Sequence, residues 1–162
     1  MFEFQLDASS KPTLYADLVI AARGLTKGER DAIANMANVA ALIWQALPDL
    51  NWAGFYRHDG RELVLGPFQG RPACIRIPLG NGVCGIAAAE RRTLCVPDVH
   101  AFPGHIACDA ASQSEIVVPV IDEDRLVGVL DLDSPILARF DEADAKGLEA
   151  LAAAIAPRLA GI

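Results

Sequence analysis

The chain has no strongly basic stretch. Its 14 Lys and Arg are outnumbered by 21 Asp and Glu, the formal net charge is −7, and no basic run exceeds Arg91-Arg92. Phosphate backbones and anionic lipid need a cationic footprint, so neither nucleic acid nor a membrane is expected as a partner. Long apolar runs are missing as well. Nowhere do about 18 apolar residues follow one another, and the opening MFEFQLDASSKPTLYADL has no basic segment leading into an apolar one. A soluble, cytoplasmic protein is expected. Four cysteines are present, Cys74, Cys84, Cys95 and Cys108, but no Cys-x-x-Cys and no His-x-x-x-His. Structural zinc sites draw their ligands from such short pairs. A bound metal is therefore not expected, and Cys84, Cys95, Cys108, His100 and His105 are the residues that would have to supply one. LGNGVCG lacks the order of a dinucleotide or phosphate-loop fingerprint, so no nucleotide cofactor is expected either.

What is present is a chain of 162 residues, 52% hydrophobic, which suits a single domain over 1–162 and excludes disorder. The pattern reads as α+β. Pro12 and Gly24 bracket a first helix, and Thr26 with Glu29 has the spacing of a capping box for a second, with Ile33, Met36, Ala40, Ile43 and Leu47 along one face. The two helices span about 12–47. NWAGFYRH and ELVLGPFQG flank Asp59-Gly60 as a hairpin, with Trp52, Gly54 and Tyr56 on one face and Ala53 and Phe55 on the other. PACIRIP reads as a strand with Cys74 and Arg76 on one face and Ile75 and Ile77 on the other. A short Ala-rich helix follows, then TLCV, a loop from Pro97 to Ser114, and the strand pair EIVVPVI and RLVGVLDLD. The sheet of about six antiparallel strands and its covering loop thus fill about 51–133. A helix over about 141–157, capped by Asp141, closes the chain with Leu148, Leu151, Ile155 and Leu159 inward.

Three features carry chemistry. Cys108 ends the long loop just before the carboxylate Glu115 opens an apolar strand, and Cys74 and Cys84 could close on it as redox partners. Cys84 falls in the first turn of a helix, where the dipole and unpaired N–H groups favour a thiolate. Asp131 and Asp133 continue the face of Val127 and Val129, with Leu126, Gly128, Leu130 and Leu132 opposite. Burying a carboxylate costs several kcal/mol unless it meets a partner, a cation or a reaction.

NWAGFYRH, ELVLGPFQG, GNGVCG, DVHAFPGHIACDAASQSEIVVP and GVLDLDSP together resemble the free methionine-(R)-sulfoxide reductase family, which is built on a GAF domain. The resemblance implies Cys108 as nucleophile and Cys74 or Cys84 as the resolving thiol. It also implies Glu115, Asp131 and Asp133 in the substrate site, Glu115 and Asp133 among the catalytic groups, and Trp52 and Tyr56 around the methyl end of the substrate. Cys95 has no counterpart and is read as a packing residue. By the same resemblance the chain is a homodimer, its substrate is free methionine sulfoxide, and it proceeds through a sulfenic acid and an intramolecular disulfide. With no cofactor bound, its electrons come from an external dithiol, thioredoxin. The competing reading is a GAF module that senses a small ligand without turning it over.

Overall fold

The computed structural model describes residues 4–104 and 110–161. Helices α1 (Lys11–Leu25) and α2 (Ala32–Ala46) precede a hairpin of β1 (Trp52–His58) and β2 (Glu62–Gly70). Strand β3 (Arg76–Pro78), helix α3 (Gly82–Glu90) and strand β4 (Leu94–Val96) come next, then the pair β5 (Ser114–Asp122) and β6 (Arg125–Ser134), and finally α4 (Glu142–Leu159). The strands form one antiparallel sheet in the order β3-β2-β1-β6-β5-β4. The expected α+β architecture is present, with four α-helices around a six-stranded sheet among the described residues.

Both faces of the sheet are covered. Ala53, Phe55, Ile116, Val118, Leu130 and Leu132 pack against α1, α2 and α4. Trp52, Tyr56, Val117 and Val129 face the other way, against Ile77, Val83, Ala87 and Val99. The period-two reading of β1 therefore holds. On β6 it holds from Gly128 onward but not before. Val120 pairs with Gly128 while Ile121 pairs with Leu126, so Val127 is an extra residue on β6, and it joins the helix-side core while Leu126 joins the other. A bulge of this kind exchanges the faces of the residues before it.

Helices α1 and α2 begin where side chains satisfy their first N–H groups. Ser10 accepts from Thr13 N, and Asp31 accepts from Ala34 N. The expected capping box of Thr26 and Glu29 does not form. Thr26 instead ends α1, its hydroxyl bonding to the carbonyl of Ala22, and Glu29 receives the N–H groups of Arg30 and Asp31 outside the helix. Because α2 starts five residues later than that box implies, Ile33 sits in its first turn and is 43% exposed, while Ala32 and Asn35 turn inward. Asp141 and Asp144 do form a capping box, at α4. Asp144 is buried and also accepts from Tyr15 Oη at 2.8 Å, Lys11 Nζ at 2.5 Å and Arg139 at 3.5 Å. This charged hub ties α1 to α4 and, through Arg139 and the Pro48 carbonyl, to the turn before β1.

The segment around Cys74 is not the strand expected over Pro72–Pro78. Gly70 turns at φ 123° and Pro72 has no N–H to offer a ladder, so regular pairing resumes only at Arg76. Arg76 points outward to Asp59 and Glu62, Ile77 is buried, and Ile75 is 71% exposed.

A second irregularity shapes the pocket side. Gly54 pairs with Phe68 but Tyr56 pairs with Leu65, so β2 carries an extra residue around Gly66-Pro67. The bulge presses Phe68 against β1, and a Cβ on Gly54 would lie 2.3 Å from Phe68 Cβ. Gly54→Ala is therefore expected to lower stability by about 1–3 kcal/mol through overpacking. An unchanged denaturant midpoint would contradict that reading of the bulge.

Candidate active site

One pocket lies on the face of the sheet away from α1, α2 and α4. Its floor is built by strand register. Trp52 pairs with Asp133, Gly54 with Asp131 and Tyr56 with Val129, while Glu115 pairs with Asp133 and Val117 with Asp131. Period two then places Trp52, Tyr56, Glu115, Asp131 and Asp133 side by side, and Phe68 packs closely over the bare Gly54 between the two aromatic residues. Helix α3 supplies the wall through Asn81, Gly82, Val83 and Cys84, and the segment after β2 supplies Arg71, Pro72 and Ala73. Aromatic and carboxylic side chains thus line one small, partly enclosed pocket.

The aromatic side of the pocket is a stack. Trp52 lies 5.8 Å from Tyr56 and 5.2 Å from Phe68 between ring centres, with interplanar angles of 24° and 14°. Trp52 Nε1 donates to the Arg71 carbonyl at 3.2 Å, which fixes the indole edge. Burial and the neighbouring charge of Asp131 push the Tyr56 hydroxyl upward, so it stays a protonated donor.

The acidic side is buried. Glu115 is 6% exposed and Asp131 5%. Loss of water raises the Glu115 carboxyl well above its ordinary range, and the charges of Asp131 and Asp133 raise it further. Asp131 is pushed up to about 7, mainly by burial. Both are thus able to hold a proton near neutral pH, which an ordinary surface carboxylate does not. Cys84 Sγ is 3.9 Å from Glu115 Oε1, and Asp131 Oδ1 is buried with no hydrogen-bond partner among the described residues.

Cys84 sits in the first turn of α3, as its spacing from Gly82 implies, but the thiolate expected there is not favoured. The thiol is fully buried against Asp131 and Glu115, and desolvation followed by those negative charges drives its pKa well upward. A helix dipole is worth too little to offset them. Cys74 is disulfide-bonded, whereas Cys84 and Cys95 are free thiols. Cys108 and His105 lie outside the described residues. The zinc set does not converge among those described: Cys95 pairs with Ile116 on the helix side, and its thiol donates to the Phe140 carbonyl at 3.3 Å, across the sheet from Cys84. Cys95 is also exposed, not the packing residue expected.

Residues the sequence did not single out complete the site. Phe68 arrives through the β2 bulge, and Ser112 is held by the amide of Asn51 at 2.9 Å. The long loop does pack over the sheet in its described parts: Val99 is buried and donates its N–H to the Gln113 carbonyl.

Residues 25–159 match the GAF domain family. The chain is 49% identical over 151 residues to the free methionine-R-sulfoxide reductase of Escherichia coli, covering 93% of this chain and 92% of that one. A crystal structure of free methionine-R-sulfoxide reductase from Neisseria meningitidis in complex with its substrate superposes with a TM-score of 0.93 at 46% identity, over 98% and 96% of the two chains. A Burkholderia vietnamiensis protein described as a candidate GAF sensor is 60% identical with a TM-score of 0.89, over 93% of this chain and 96% of that one.

The raised carboxyl groups set a pH dependence. Between roughly pH 4 and 7 the folded chain holds a proton on Asp131 that the unfolded chain has already released. A native state that binds more protons loses stability as pH rises through that window, and the loss levels off above it. Glu115 acts in the same direction. Asp131→Asn is expected to flatten the fall in urea midpoint between about pH 5 and 8 and to be more stable than the parent at the upper end. Parallel curves for the two proteins would refute the burial argument.

Proposed function

The chain belongs to the free methionine-R-sulfoxide reductase family of GAF-domain proteins, and on that premise we propose that it reduces free L-methionine-(R)-sulfoxide to methionine. The observation that carries this reading is the meeting of two proton-holding carboxyl groups, Glu115 and Asp131, with an aromatic wall in one pocket.

Sulfoxide reduction needs a nucleophile for sulfur and a proton for oxygen, because oxide does not leave. Cys108 is the nucleophile. Its thiolate attacks the sulfoxide sulfur, the S–O bond breaks, and the oxygen takes a proton from a carboxyl group of the set Glu115, Asp131 and Asp133. The released hydroxide then attacks the Cys108 sulfur of the sulfonium so formed, the new S–S bond breaks, and methionine leaves with that electron pair, its sulfur reduced by two electrons. Cys108, oxidised by the same two, is left as the sulfenic acid. A second thiol then attacks the sulfenic sulfur, closing a disulfide and releasing the oxygen as water. Cys74 takes this resolving role. Its disulfide-bonded state supports the assignment, as do the free, buried and proton-retaining character of Cys84. An external dithiol, thioredoxin, restores the two thiols by exchange, and no bound cofactor is needed.

The remaining carboxylates suit the substrate's ammonium group. Its carboxylate suits the N-terminus of α3, where Asn81 makes no side-chain cap and the first-turn residues Gly82, Val83 and Cys84 line the pocket. Trp52 and Tyr56 enclose the methyl end. A pocket that pairs both charges of an amino acid rejects the same side chain inside a polypeptide. The protein acts in the cytoplasm as a homodimer, and light scattering should give a mass near twice 17.2 kDa.

Pre-reduced protein without added reductant is expected to form about one methionine per chain from free methionine-(R)-sulfoxide, and Cys108→Ser none. Cys74→Ser should keep that single turnover but not cycle with thioredoxin, whereas Cys84→Ser should cycle. The 60% identity to a candidate sensor gives the second reading its support. Sulfoxide bound by the intact protein without any methionine formed would favour that sensing role.

A further inference from the structure

Cys84, Glu115 and Asp131 come from three different elements, α3, β5 and β6, yet one donor atom of each lies within 4.8 Å of the other two. All three are buried. Asp131 is 95% withdrawn from solvent by its 5% exposure, and its Oδ1 is buried without a hydrogen-bond partner among the described residues. A buried, unpartnered carboxylate oxygen beside a thiol is an arrangement that a cation would complete.

We propose that Cys84, Glu115 and Asp131 bind one zinc-class divalent cation, which blocks the pocket. The set shares only Cys84 with the Cys and His residues weighed from the sequence. Tetrahedral zinc with bonds of roughly 2.0–2.3 Å spaces its ligands about 3.3–3.8 Å apart, so donors within 4.8 Å of one another need close by at most about 1.5 Å. One thiolate with two carboxylates matches a borderline metal. Calcium and magnesium prefer oxygen alone, and copper(I) prefers sulfur. The thiol proton leaves to solvent as the metal–sulfur bond forms, and no electron is transferred. The fourth position faces the pocket and is filled by water.

The consequence for ligands follows from charge. A divalent ion at Glu115 and Asp131 occupies the carboxylates that suit an ammonium group, so metal and free amino acid exclude each other. Metal binding itself does not depend on the proposed reductase activity, while the blockade rests on it.

The test uses the full chain in its oxidised form, in which Cys74 is already in a disulfide and Cys84 and Cys95 are free thiols. Equilibrium dialysis with zinc alone should retain about one ion per chain. Cobalt(II) alone should give a thiolate-to-metal charge-transfer band. Cys84→Ser should abolish the band, the isosteric Asp131→Asn should weaken zinc at least about tenfold, and Cys95→Ser should change neither. No retained zinc, a band that survives Cys84→Ser, or one that disappears in Cys95→Ser overturns the site. Free methionine-(R)-sulfoxide should weaken zinc binding, and zinc retention indifferent to the sulfoxide overturns the blockade. A chain that never forms methionine but keeps its cobalt band would refute the reductase reading alone.

Discussion

The register between β1, β6 and β5 is the constraint on which the rest of the molecule depends. These three strands sit at the centre of the sheet and are covered on both faces. A slip of one residue would carry Glu115, Asp131 and Asp133 into the helix-side core and Leu130 and Leu132 into the pocket. Neither face could accept the exchange. The same alternation that fills the core with leucine and isoleucine therefore assembles the acidic floor of the pocket, with no separate device to hold it.

Two buried acids in this structure are handled in opposite ways. Asp144 gathers Lys11, Arg139, the Tyr15 hydroxyl and the N–H of Asp141, so burial is offset by partners and the acid ties α1 and α4 together. Asp131 has an oxygen without a hydrogen-bond partner among the described residues and answers burial by holding its proton longer. The first arrangement stabilises. The second leaves a group poised to give up a proton or take a cation, which is the condition of a working site and not of a structural one.

How much of this could be read from the residues follows the same physics. The faces of β1 and the acids of β6 were legible because one side of each strand is packed and period two is then strict. The first turn of α3 was legible from its glycines. What depended on contacts made from elsewhere was not. Thr26 and Glu29 have capping-box spacing, but Gly28 and Asp31 decide where the next helix starts. The protonation of Cys84 is governed by carboxylates on two strands far along the chain, so its helix position alone misleads. The bulge that seats Phe68 on Trp52 has a signal, Gly66-Pro67 within a strand pattern, though that signal does not say which side chain it moves. Cys108 carries the central assignment by resemblance and lies outside the described residues.

The order of the strands also governs how copies of the chain can meet. Both edges of the sheet, β3 and β4, are only three residues long, and β3 ends on Pro78, which cannot donate to another strand. Short, proline-terminated borders offer almost no backbone ladder for a neighbouring sheet to extend. Association through continuous intermolecular β-structure is thereby denied, whether as an ordered pair or as runaway fibre growth. Any dimer of this chain has to be made by side chains on helices and loops, which keeps the long central strands private to one molecule.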